Sequence, residues 1–414
     1  MTARTIVVVG ASLGGLRAAE SLRSAGFDGR LVVVGAEAHL PYDRPPLSKA
    51  MLAGAWDPDR ILLRRTEHLA QLDLEMHLGV AATGLDPATR TVHLADGRSF
   101  VYDGCIVATG ASPRRLPGQP VGWEGLHELR TLDDALALRV DLHDRGERRV
   151  VVIGAGFIGA EVAATARGLG HQVTVLEALP APLVRGLGEE MGRAVGAFHT
   201  GHGVDLRCGV GVTGFVGDGR VEGVTLSDGS TLPADVVVVG VGVVPATDWL
   251  ASSGLTIDNG IVCDAFLRAA PYVYAVGDVA RWPWADGGEL TRIEHWTNAS
   301  EHGGLAATNL LAELDGRELT PFATLPFVWS DQYDRRIQVV GRISGEHDTA
   351  VVHGSVDDGS WVTLYGAGGA LRGVLAVSQP KKLMSYRKLM MAGPVTWDEA
   401  LAHARTLEPT TPPP

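Results

Sequence analysis

The clearest pattern in the chain is a repeat of short apolar runs, each followed by a glycine-rich turn and an alanine-rich stretch. Residues 5–37 align with residues 149–179, so that Gly10 matches Gly154 and Gly15 matches Gly159. In both copies a second β-branched run follows the alanine-rich stretch. Runs that are apolar at every position predict parallel strands buried on both faces. The sequence therefore predicts two βαβ units of about 30 residues each.

The second repeat has the glycine spacing of a dinucleotide-binding turn. The first glycine forms the turn out of the strand, the second lets a pyrophosphate approach, and the third lets the helix pack on the strand. The N-terminus of that helix offers N–H groups and the positive end of the helix dipole. A carboxylate at the end of the second strand can hydrogen-bond an adenosine ribose. We therefore predict a nucleotide site formed by Gly154, Gly156, Phe157, Ile158, Gly159 and Glu177.

The first repeat departs from this pattern at two positions. Ser12 replaces the second glycine, and its small side chain can donate a hydroxyl hydrogen bond to a phosphate. Gly35 stands where the other repeat has Glu177, so the nearest carboxylate belongs to Glu37. Glu37 is either the ribose ligand of this site or a solvated loop carboxylate. We predict a second nucleotide site that includes Gly10, Ser12, Leu13, Gly14, Gly15 and Glu37.

Glu177 also indicates which nicotinamide coenzyme is bound. A carboxylate repels the 2′-phosphate of NADP, and the next residues, Ala178 and Leu179, supply no arginine to bind one. We expect NADH to be preferred, with Arg185 as the side chain that could still reach a phosphate.

Composition and charge narrow the class of protein. The chain has 414 residues, 45% hydrophobic and 20% charged, which is typical of a folded protein of two or three domains. Its longest apolar runs are about half of the ~20 residues that a membrane span needs, and the glycines within residues 5–16 favour a strand and turn over a signal peptide. A net charge of −12 argues against nucleic acid or a membrane surface as a partner. The three cysteines, Cys105, Cys208 and Cys263, are too widely spaced for a CxxC pair or a zinc site, so we expect no metal and a cytoplasmic location.

Further motifs resemble the flavoprotein pyridine-nucleotide reductases. Residues 105–111, CIVATGA, resemble the ATG segment between their two nucleotide domains, and residues 272–278, YVYAVGD, resemble their second FAD signature. Disulfide reductases of this superfamily carry a cysteine pair near residues 40–49, but this chain has no cysteine before Cys105. Its PYDRPPLSK run there, and residues 327–332, instead resemble the ferredoxin reductases of haem-thiolate monooxygenase and Rieske dioxygenase systems.

This resemblance implies an α/β fold with two doubly wound, glutathione-reductase-like dinucleotide-binding domains and a C-terminal α+β domain. We expect an FAD-binding domain at residues 1–112 and 246–320, an NAD-binding domain at 113–245 and the C-terminal domain at 321–414. In the C-terminal domain the pattern predicts strands at 336–343, 349–352, 361–365 and 371–377, helices at 381–391 and 397–404, and a frayed tail at 409–414.

The resemblance also implies roles for individual residues. Lys49 is expected beside the flavin, where its charge can stabilise the reduced ring, and Glu161 is expected to pair with it and to anchor the nicotinamide amide. Their alternatives are a surface lysine and a glutamate favoured by the helix dipole. Asp278 is expected on the ribityl chain, its alternative being a helix N-cap. Arg44 and Arg130 are expected to bind the pyrophosphate or adenosine end of FAD, and Ala82 to contact the adenine through its backbone. Trp296 and Trp329 are expected to cover the isoalloxazine ring, their alternative being aromatic residues of the core. His295 is a proton donor or, more in keeping with the motif, a structural residue.

The function implied is that of an FAD-dependent NADH:ferredoxin reductase. A hydride passes from NADH to FAD, and single electrons then pass to a two-iron two-sulfur ferredoxin that supplies one of those oxygenases. At physiological salt, interactions between charges more than about 8 Å apart are largely screened. A local basic patch can therefore dock an acidic ferredoxin even though the whole chain carries a net negative charge. The patch is expected at Arg335, Arg336, Lys381, Lys382, Arg387 and Lys388, unless these residues are only a solvated helix face.

Two other functions remain open at this point. A rubredoxin or nitrite-reductase-type electron donor would have the same core. A signalling flavoprotein resembling apoptosis-inducing factor belongs to a different class, and the net charge argues against its binding DNA. We expect a monomer or a weak homodimer.

Overall fold

The apolar runs of the sequence form strands, and the alanine-rich stretches form helices. The computed structural model describes residues 4–144, 146–284 and 288–407, which contain eight α-helices and twenty-seven strands. The helices are α1 (Leu13–Ser24), α2 (Thr66–Gln71), α3 (Leu132–His143), α4 (Phe157–Gly168), α5 (Val184–Gly201), α6 (Trp296–Leu314), α7 (Pro380–Met391) and α8 (Trp397–Thr406). The strands are β1 (Thr5–Val9), β2 (Arg30–Gly35), β3 (Glu75–Leu78), β4 (Ala82–Asp86), β5 (Thr91–Leu94), β6 (Ser99–Val101), β7 (Gly104–Val107), β8 (Ala111–Pro113), β9 (Leu126–His127), β10 (Arg149–Ile153), β11 (Gln172–Glu177), β12 (Asp205–Cys208), β13 (Val212–Gly217), β14 (Val221–Leu226), β15 (Thr231–Pro233), β16 (Val236–Val239), β17 (Val243–Pro245), β18 (Ile261–Val262), β19 (Arg268–Ala270), β20 (Val273–Ala275), β21 (Ala280–Pro283), β22 (Leu290–Thr291), β23 (Phe327–Gln332), β24 (Arg335–Gly341), β25 (Asp348–Ser355), β26 (Ser360–Ala367) and β27 (Ala370–Val377).

Contacts between residues divide the chain into two units. The first unit contains the residues up to Arg44, together with Asp57–Ser112 and Val243–Thr324. The second unit contains Pro45–Trp56, Pro113–Gly242 and the residues from Leu325 onward. The three-domain division expected from the sequence stays a prediction, and its tail at 409–414 lies outside the described residues.

The first unit is built on the first βαβ repeat. Its six-stranded sheet has the order β19-β20-β7-β1-β2-β3, and β1 pairs in parallel with both β2 and β7. Val7, Ile106 and Tyr274 on these strands are fully buried, as expected for a sheet covered on both faces. Helices α1 and α6 pack against each other beside this sheet. The glycine-rich turn therefore lies at the carboxyl end of the central strand.

The second unit repeats this arrangement with β10, α4 and β11. Its parallel sheet has the order β12-β11-β10-β16-β9, and Val152 on the central strand is fully buried. The C-terminal residues add a five-stranded antiparallel sheet, β23-β24-β27-β26-β25, against which α7 and α8 pack. The strands and helices predicted there are present, with ends that differ by three residues or fewer. The predicted fold class is confirmed. In the part of the chain that the structure describes, every helix is too short or too polar to cross a membrane.

Candidate functional site

The first glycine-rich turn joins β1 to α1 with a backbone that requires glycine. Gly10 has φ +120°, and a Cβ at that position would collide with the Ala108 carbonyl oxygen. A Cβ at Gly15 would collide with the Gly10 carbonyl oxygen, so α1 packs directly on the turn. Ser12 is the N-cap of α1, and within the described residues its side chain makes no capping bond. The first turn of α1 contains no acidic residue, so its N–H groups suit a phosphate.

The segment that carries Asp278 lies against this turn. A Cβ at Gly14 would stand 3.2 Å from Val276 Cγ2, two residues before Asp278. Gly277 has φ +71°, and its N–H donates to Nδ1 of the buried His302 at 3.2 Å. The charge of Asp278 acts on both Arg44 and His295. The structure thus brings the predicted ribityl ligand and the phosphate-binding turn together in the first unit.

Glu37, two residues beyond β2, is held by its neighbours. Its carboxylate accepts hydrogen bonds from the Tyr42 hydroxyl and, at 2.7 Å, from the Arg44 guanidinium. Its backbone carbonyl accepts the N–H of Gly79 at 2.9 Å, shortly before Ala82 opens β4. Glu37 is therefore a fixed carboxylate rather than a freely solvated one. Its role at the ribose and that of Ala82 at the adenine stay predictions.

Trp296 and His295 begin α6 in the first unit. The Trp296 indole N–H donates to Asp43 Oδ1 at 2.7 Å, which fixes the ring against the loop that contains Arg44. Burial lowers the pKa of His295 to about 4, although the nearby charge of Asp278 opposes that shift. His295 is consequently neutral at pH 7, and its role, as a proton donor or as a structural residue, stays a prediction.

The second glycine-rich turn joins β10 to α4 and has the same geometry. Gly154 has φ +100°, and a Cβ there would collide with the Gly240 carbonyl oxygen. A Cβ at Gly159 would likewise collide with the Gly154 carbonyl oxygen. At Gly156, the N-cap of α4, a Cβ would find no heavy atom of the described residues within 4 Å. Open space in front of the helix N-terminus, next to Phe157 and the half-exposed Ile158, is what a pyrophosphate requires.

Glu177 is fixed at the edge of this second turn. Its Oε2 accepts the N–H of Ala155 at 2.8 Å, and its Oε1 accepts the N–H of Leu179 at 2.9 Å. Cys208 of β12 is its register partner. The carboxylate ends β11 beside the glycines, where a ribose hydroxyl would be bound. Both turns therefore fit dinucleotides.

Glu161 of α4 collects three hydrogen-bond donors. Its side chain is buried, and its Oε2 accepts from Lys49 Nζ at 2.6 Å and from the Ser48 hydroxyl at 2.5 Å. Its Oε1 accepts from the Ser330 hydroxyl at 2.7 Å. The Lys49–Glu161 pair expected from the resemblance is thus present in the second unit. Sequence reasoning missed Ser48 and Ser330, although each lies within a motif already singled out, PYDRPPLSK and residues 327–332.

Arg130 and Trp329, two further residues predicted to contact FAD, belong to the second unit, as Lys49 does. Arg130 directly precedes Thr131, the N-cap of α3, and its N–H donates to Asp134 at 3.0 Å. Trp329 lies on β23 with its ring stacked 6.0 Å from that of Phe327. The first unit contains the other predicted contacts, namely Gly10, Ser12, Leu13, Gly14, Gly15, Glu37, Arg44, Ala82, Asp278 and Trp296.

Comparison with known proteins identifies the family. Residues 4–303 match the family described as pyridine nucleotide-disulphide oxidoreductase, and residues 327–407 match the family described as reductase C-terminal. Rhodocoxin reductase of Rhodococcus erythropolis is 40% identical over 399 residues, which are 96% of this chain and 92% of that protein. The ferredoxin–NAD(+) reductase component of the p-cumate 2,3-dioxygenase system of Pseudomonas putida is 39% identical over 337 residues, 81% of each chain.

Comparison with a solved structure also points to a reductase. The covalent putidaredoxin reductase–putidaredoxin complex matches with a TM-score of 0.88 and 33% identity, covering 94% of this chain and 93% of that chain. The predicted family and the predicted cofactors, FAD and NAD(H), are confirmed. The chain therefore belongs to the pyridine nucleotide-disulphide oxidoreductase family, as an FAD-dependent oxidoreductase with a reductase C-terminal domain.

Proposed function

We propose that this protein is an NADH-dependent ferredoxin reductase that serves an oxygenase. One observation carries the proposal: the segment where disulfide reductases of the superfamily have cysteines instead presents Lys49, paired with the buried Glu161. Such a site contains no thiol that could pass electrons onward. A flavin bound at such a site would have to pass its electrons directly to a carrier that binds at the surface.

The cofactors supply the redox chemistry, since NADH carries a hydride and FAD can accept it and release electrons singly. The protein residues bind, orient and adjust charge. Glu161 is suited to accept a hydrogen bond from the nicotinamide amide, which would fix the angle of the ring. Lys49 supplies a positive charge, held at 2.6 Å from Glu161, that would favour an anionic reduced ring. Glu177, held by two backbone N–H groups, would select NADH over NADPH.

The thiols of the chain are unsuited to relay electrons. Cys105 and Cys263 are buried in the core of the first unit. Burial raises the pKa of both thiols, that of Cys263 to about 12. Cys208 is half-buried in the second unit, and burial followed by the charge of Glu177 raises the pKa of its thiol. Since the thiolate is the reactive form, these raised pKa values disfavour all three cysteines as electron relays at neutral pH.

Helix α7 supplies the surface that we propose for docking the ferredoxin. The chain has only four lysines, and three of them, Lys381, Lys382 and Lys388, lie on this helix. Among the described residues, no carboxylate pairs with any of these three. Lys381 and Lys388 are exposed and share one helix face with Met384 and Met391, which are 46% and 68% exposed. A surface of alternating lysine and methionine matches an acidic partner with an apolar centre.

The other predicted docking residues contribute less free charge. Arg336 donates two hydrogen bonds to Asp331, and Arg335 lies 3.4 Å from Asp334. Arg387 packs over the Phe327 ring, 5.3 Å from its centre. We therefore propose that the three lysines dominate recognition, with the arginines shaping the border of the patch. The partner proposed is a two-iron two-sulfur ferredoxin, since an acidic surface is what this patch complements.

The function can be tested by anaerobic titration of the yellow protein with NADH, followed by addition of candidate carriers. We expect one equivalent of NADH to bleach the flavin and NADPH to act far more slowly. Two equivalents of oxidised two-iron ferredoxin, each accepting one electron, should then restore the spectrum of the oxidised flavin. Restoration by rubredoxin alone would move the protein to the rubredoxin-linked reductases. A flavin that NADH does not bleach would overturn the proposal.

A further inference from the structure

The carboxylate of Glu161 is held from two sides by separate parts of the chain. Ser48 and Lys49, which follow the loop at residues 41–44, donate to Oε2, and Ser330 donates to Oε1 at 2.7 Å. Ser330 lies on β23, inside the region that matches the reductase C-terminal family. The C-terminal sheet therefore contributes a donor directly to the residue that we assign to the nicotinamide.

Ser330 is itself held by a second buried side chain. Gln332 lies two positions along β23, so both side chains point to the same face of the strand, and both are fully buried. The Gln332 amide Nε2 donates to Ser330 Oγ at 3.2 Å. The Ser330 oxygen accepts this bond while its hydroxyl donates to the Glu161 carboxylate, which can only accept. Gln332 therefore holds the Ser330 hydroxyl in place beside Glu161.

Asp331, between these two residues, points the other way. Its carboxylate binds Arg336 near the surface, and its side chain is 32% exposed. The alternation along β23 therefore places two neutral donors inward and the charged residue outward. A buried acceptor with both oxygens satisfied has one orientation, whereas loss of one donor lets the carboxylate turn.

We propose that Ser330, oriented by Gln332, is a positioning residue for NADH: it fixes the Glu161 carboxylate so that the nicotinamide is held in its reactive angle. The inference rests on the proposed function. It gives the C-terminal domain a part in the reaction with NADH, in addition to any part in docking a carrier.

The test compares Ser330→Ala, Gln332→Met and the double variant as purified, FAD-loaded full-length proteins. For Ser330→Ala we expect flavin reduction by NADH, followed anaerobically at 450 nm, to slow by about tenfold to a hundredfold, because a misplaced reactant loses rate steeply. Gln332→Met should slow it less, since the freed hydroxyl can still reach Glu161. The double variant should reduce its flavin at the same rate as Ser330→Ala, because the contacts that lead from Gln332 to Glu161 pass through Ser330.

Binding to the oxidised protein gives a readout that is independent of turnover. NAD⁺ carries the nicotinamide, whereas ADP-ribose keeps only the adenosine, ribose and pyrophosphate portions. Calorimetry should show that Ser330→Ala weakens NAD⁺ binding by roughly two- to tenfold, the worth of one hydrogen bond, and leaves ADP-ribose binding unchanged. Equal weakening of both ligands, or flavin reduction at the wild-type rate, would overturn the inference.

Two controls distinguish a specific role of Ser330 from a general effect of removing a buried serine and from a failure of the proposed function. Ser253 is also a buried serine, and its hydroxyl donates to the Leu250 carbonyl at 2.7 Å in the first unit, so Ser253→Ala should keep wild-type reduction and binding. Glu161→Gln should itself slow flavin reduction. If Glu161→Gln is slow while Ser330→Ala is not, only the role of Ser330 fails. If NADH does not reduce the wild-type flavin, the proposed function fails instead.

Discussion

A single buried histidine fixes the backbone that carries Asp278. His302 has no exposed surface, and its Nδ1 accepts the N–H of Gly277 at 3.2 Å. Its ring stands edge-on to Trp282 and Phe322, with centres 4.5 and 4.3 Å away. Burial lowers the pKa of His302 to about 3. The histidine is therefore neutral under ordinary conditions, and only the neutral ring can accept the Gly277 hydrogen bond.

The pH dependence of stability should reveal this histidine. Its pKa is lower in the folded protein than in the unfolded chain, where it is about 6.5, so only the unfolded chain takes up the proton below that pH. Folding is consequently destabilised as pH falls from 6.5 toward 3, by about 1.4 kcal/mol per pH unit. At pH 7.5, His302→Phe should be less stable than wild type by about 1–3 kcal/mol, because the Gly277 N–H loses its acceptor. That difference should shrink as pH falls, since the variant lacks the titrating group.

Denaturant unfolding at pH 7.5, 6.0 and 5.0 measures the difference. The matched control is His93→Phe, because His93 is exposed and its replacement should not alter the pH dependence. A gap between wild type and His302→Phe that stays constant over this range would contradict a neutral, buried His302.

Glu177 is the residue that we expect to set coenzyme choice. Both its oxygens are held by backbone N–H groups, those of Ala155 and Leu179, so the carboxylate cannot swing away from a 2′-phosphate. Glu177→Ala combined with Ala178→Arg should raise kcat/KM for NADPH relative to NADH by about tenfold or more, because a like-charge contact becomes an opposite-charge one. Steady-state kinetics with both coenzymes measures the ratio. Equal use of both coenzymes by the wild-type protein would refute the assignment.

At the scale of elements, the sequence predicted most of the individual strands and helices. The apolar runs before Gly10 and Gly154 could be assigned to parallel strands because burial on both faces leaves few polar positions. The C-terminal strands and helices followed from their periodicity in the same way. The resemblance predicted that Lys49 pairs with Glu161, but it did not predict the two serine donors, since Ser48 and Ser330 lie 113 and 169 residues away from Glu161. Serine is common and fits many settings, and only tertiary packing selects these two.

Helix α7 is the element whose sequence suggests a partner most directly. Lys381→Glu with Lys388→Glu should raise the apparent KM for ferredoxin by about tenfold at low salt, and the effect should shrink as salt is added. NADH–ferricyanide activity should stay normal, because a small acceptor does not need the patch. Steady-state assays with both acceptors provide the comparison.

A matched control reverses charges on other elements. Arg193 on α5 and Arg317 after α6 are 68% and 59% exposed, and changing both to Glu alters the net charge by the same amount. We expect this pair to leave the KM for ferredoxin near wild type. Amine acetylation followed by mass spectrometry adds a direct readout, since bound ferredoxin should protect the α7 lysines more than Lys49. Equal effects of the two charge reversals would place docking elsewhere.

At the scale of the whole molecule, net charge and local charge point to different partners. The value of −12 disfavours nucleic acid, and it would also disfavour an acidic ferredoxin if charge were spread evenly. The lysines are not spread evenly, because three of the four lie on one helix. Because charges more than about 8 Å apart are largely screened at physiological salt, a partner at α7 responds mainly to the charges close to that helix. The net charge therefore predicts that nucleic acid is not a partner, and the three lysines on α7 are the observation on which the proposed ferredoxin site rests.

The family is described by its disulphide chemistry, so the cysteines of the whole chain bear on whether a thiol relays electrons in this protein. The thiols of Cys105 and Cys263 are buried with raised pKa values, and Cys208 is only half-buried. An alkylating agent such as N-ethylmaleimide should therefore react with the native protein at Cys208 alone, and kcat with NADH and ferredoxin should be retained. Because Cys208 is the register partner of Glu177, its alkylation should act through the KM for NADH, and Cys208→Ser should abolish that effect. A fall in kcat when the Cys208→Ser variant is alkylated would mean that a thiol carries electrons, and the direct transfer from flavin to ferredoxin would have to be abandoned.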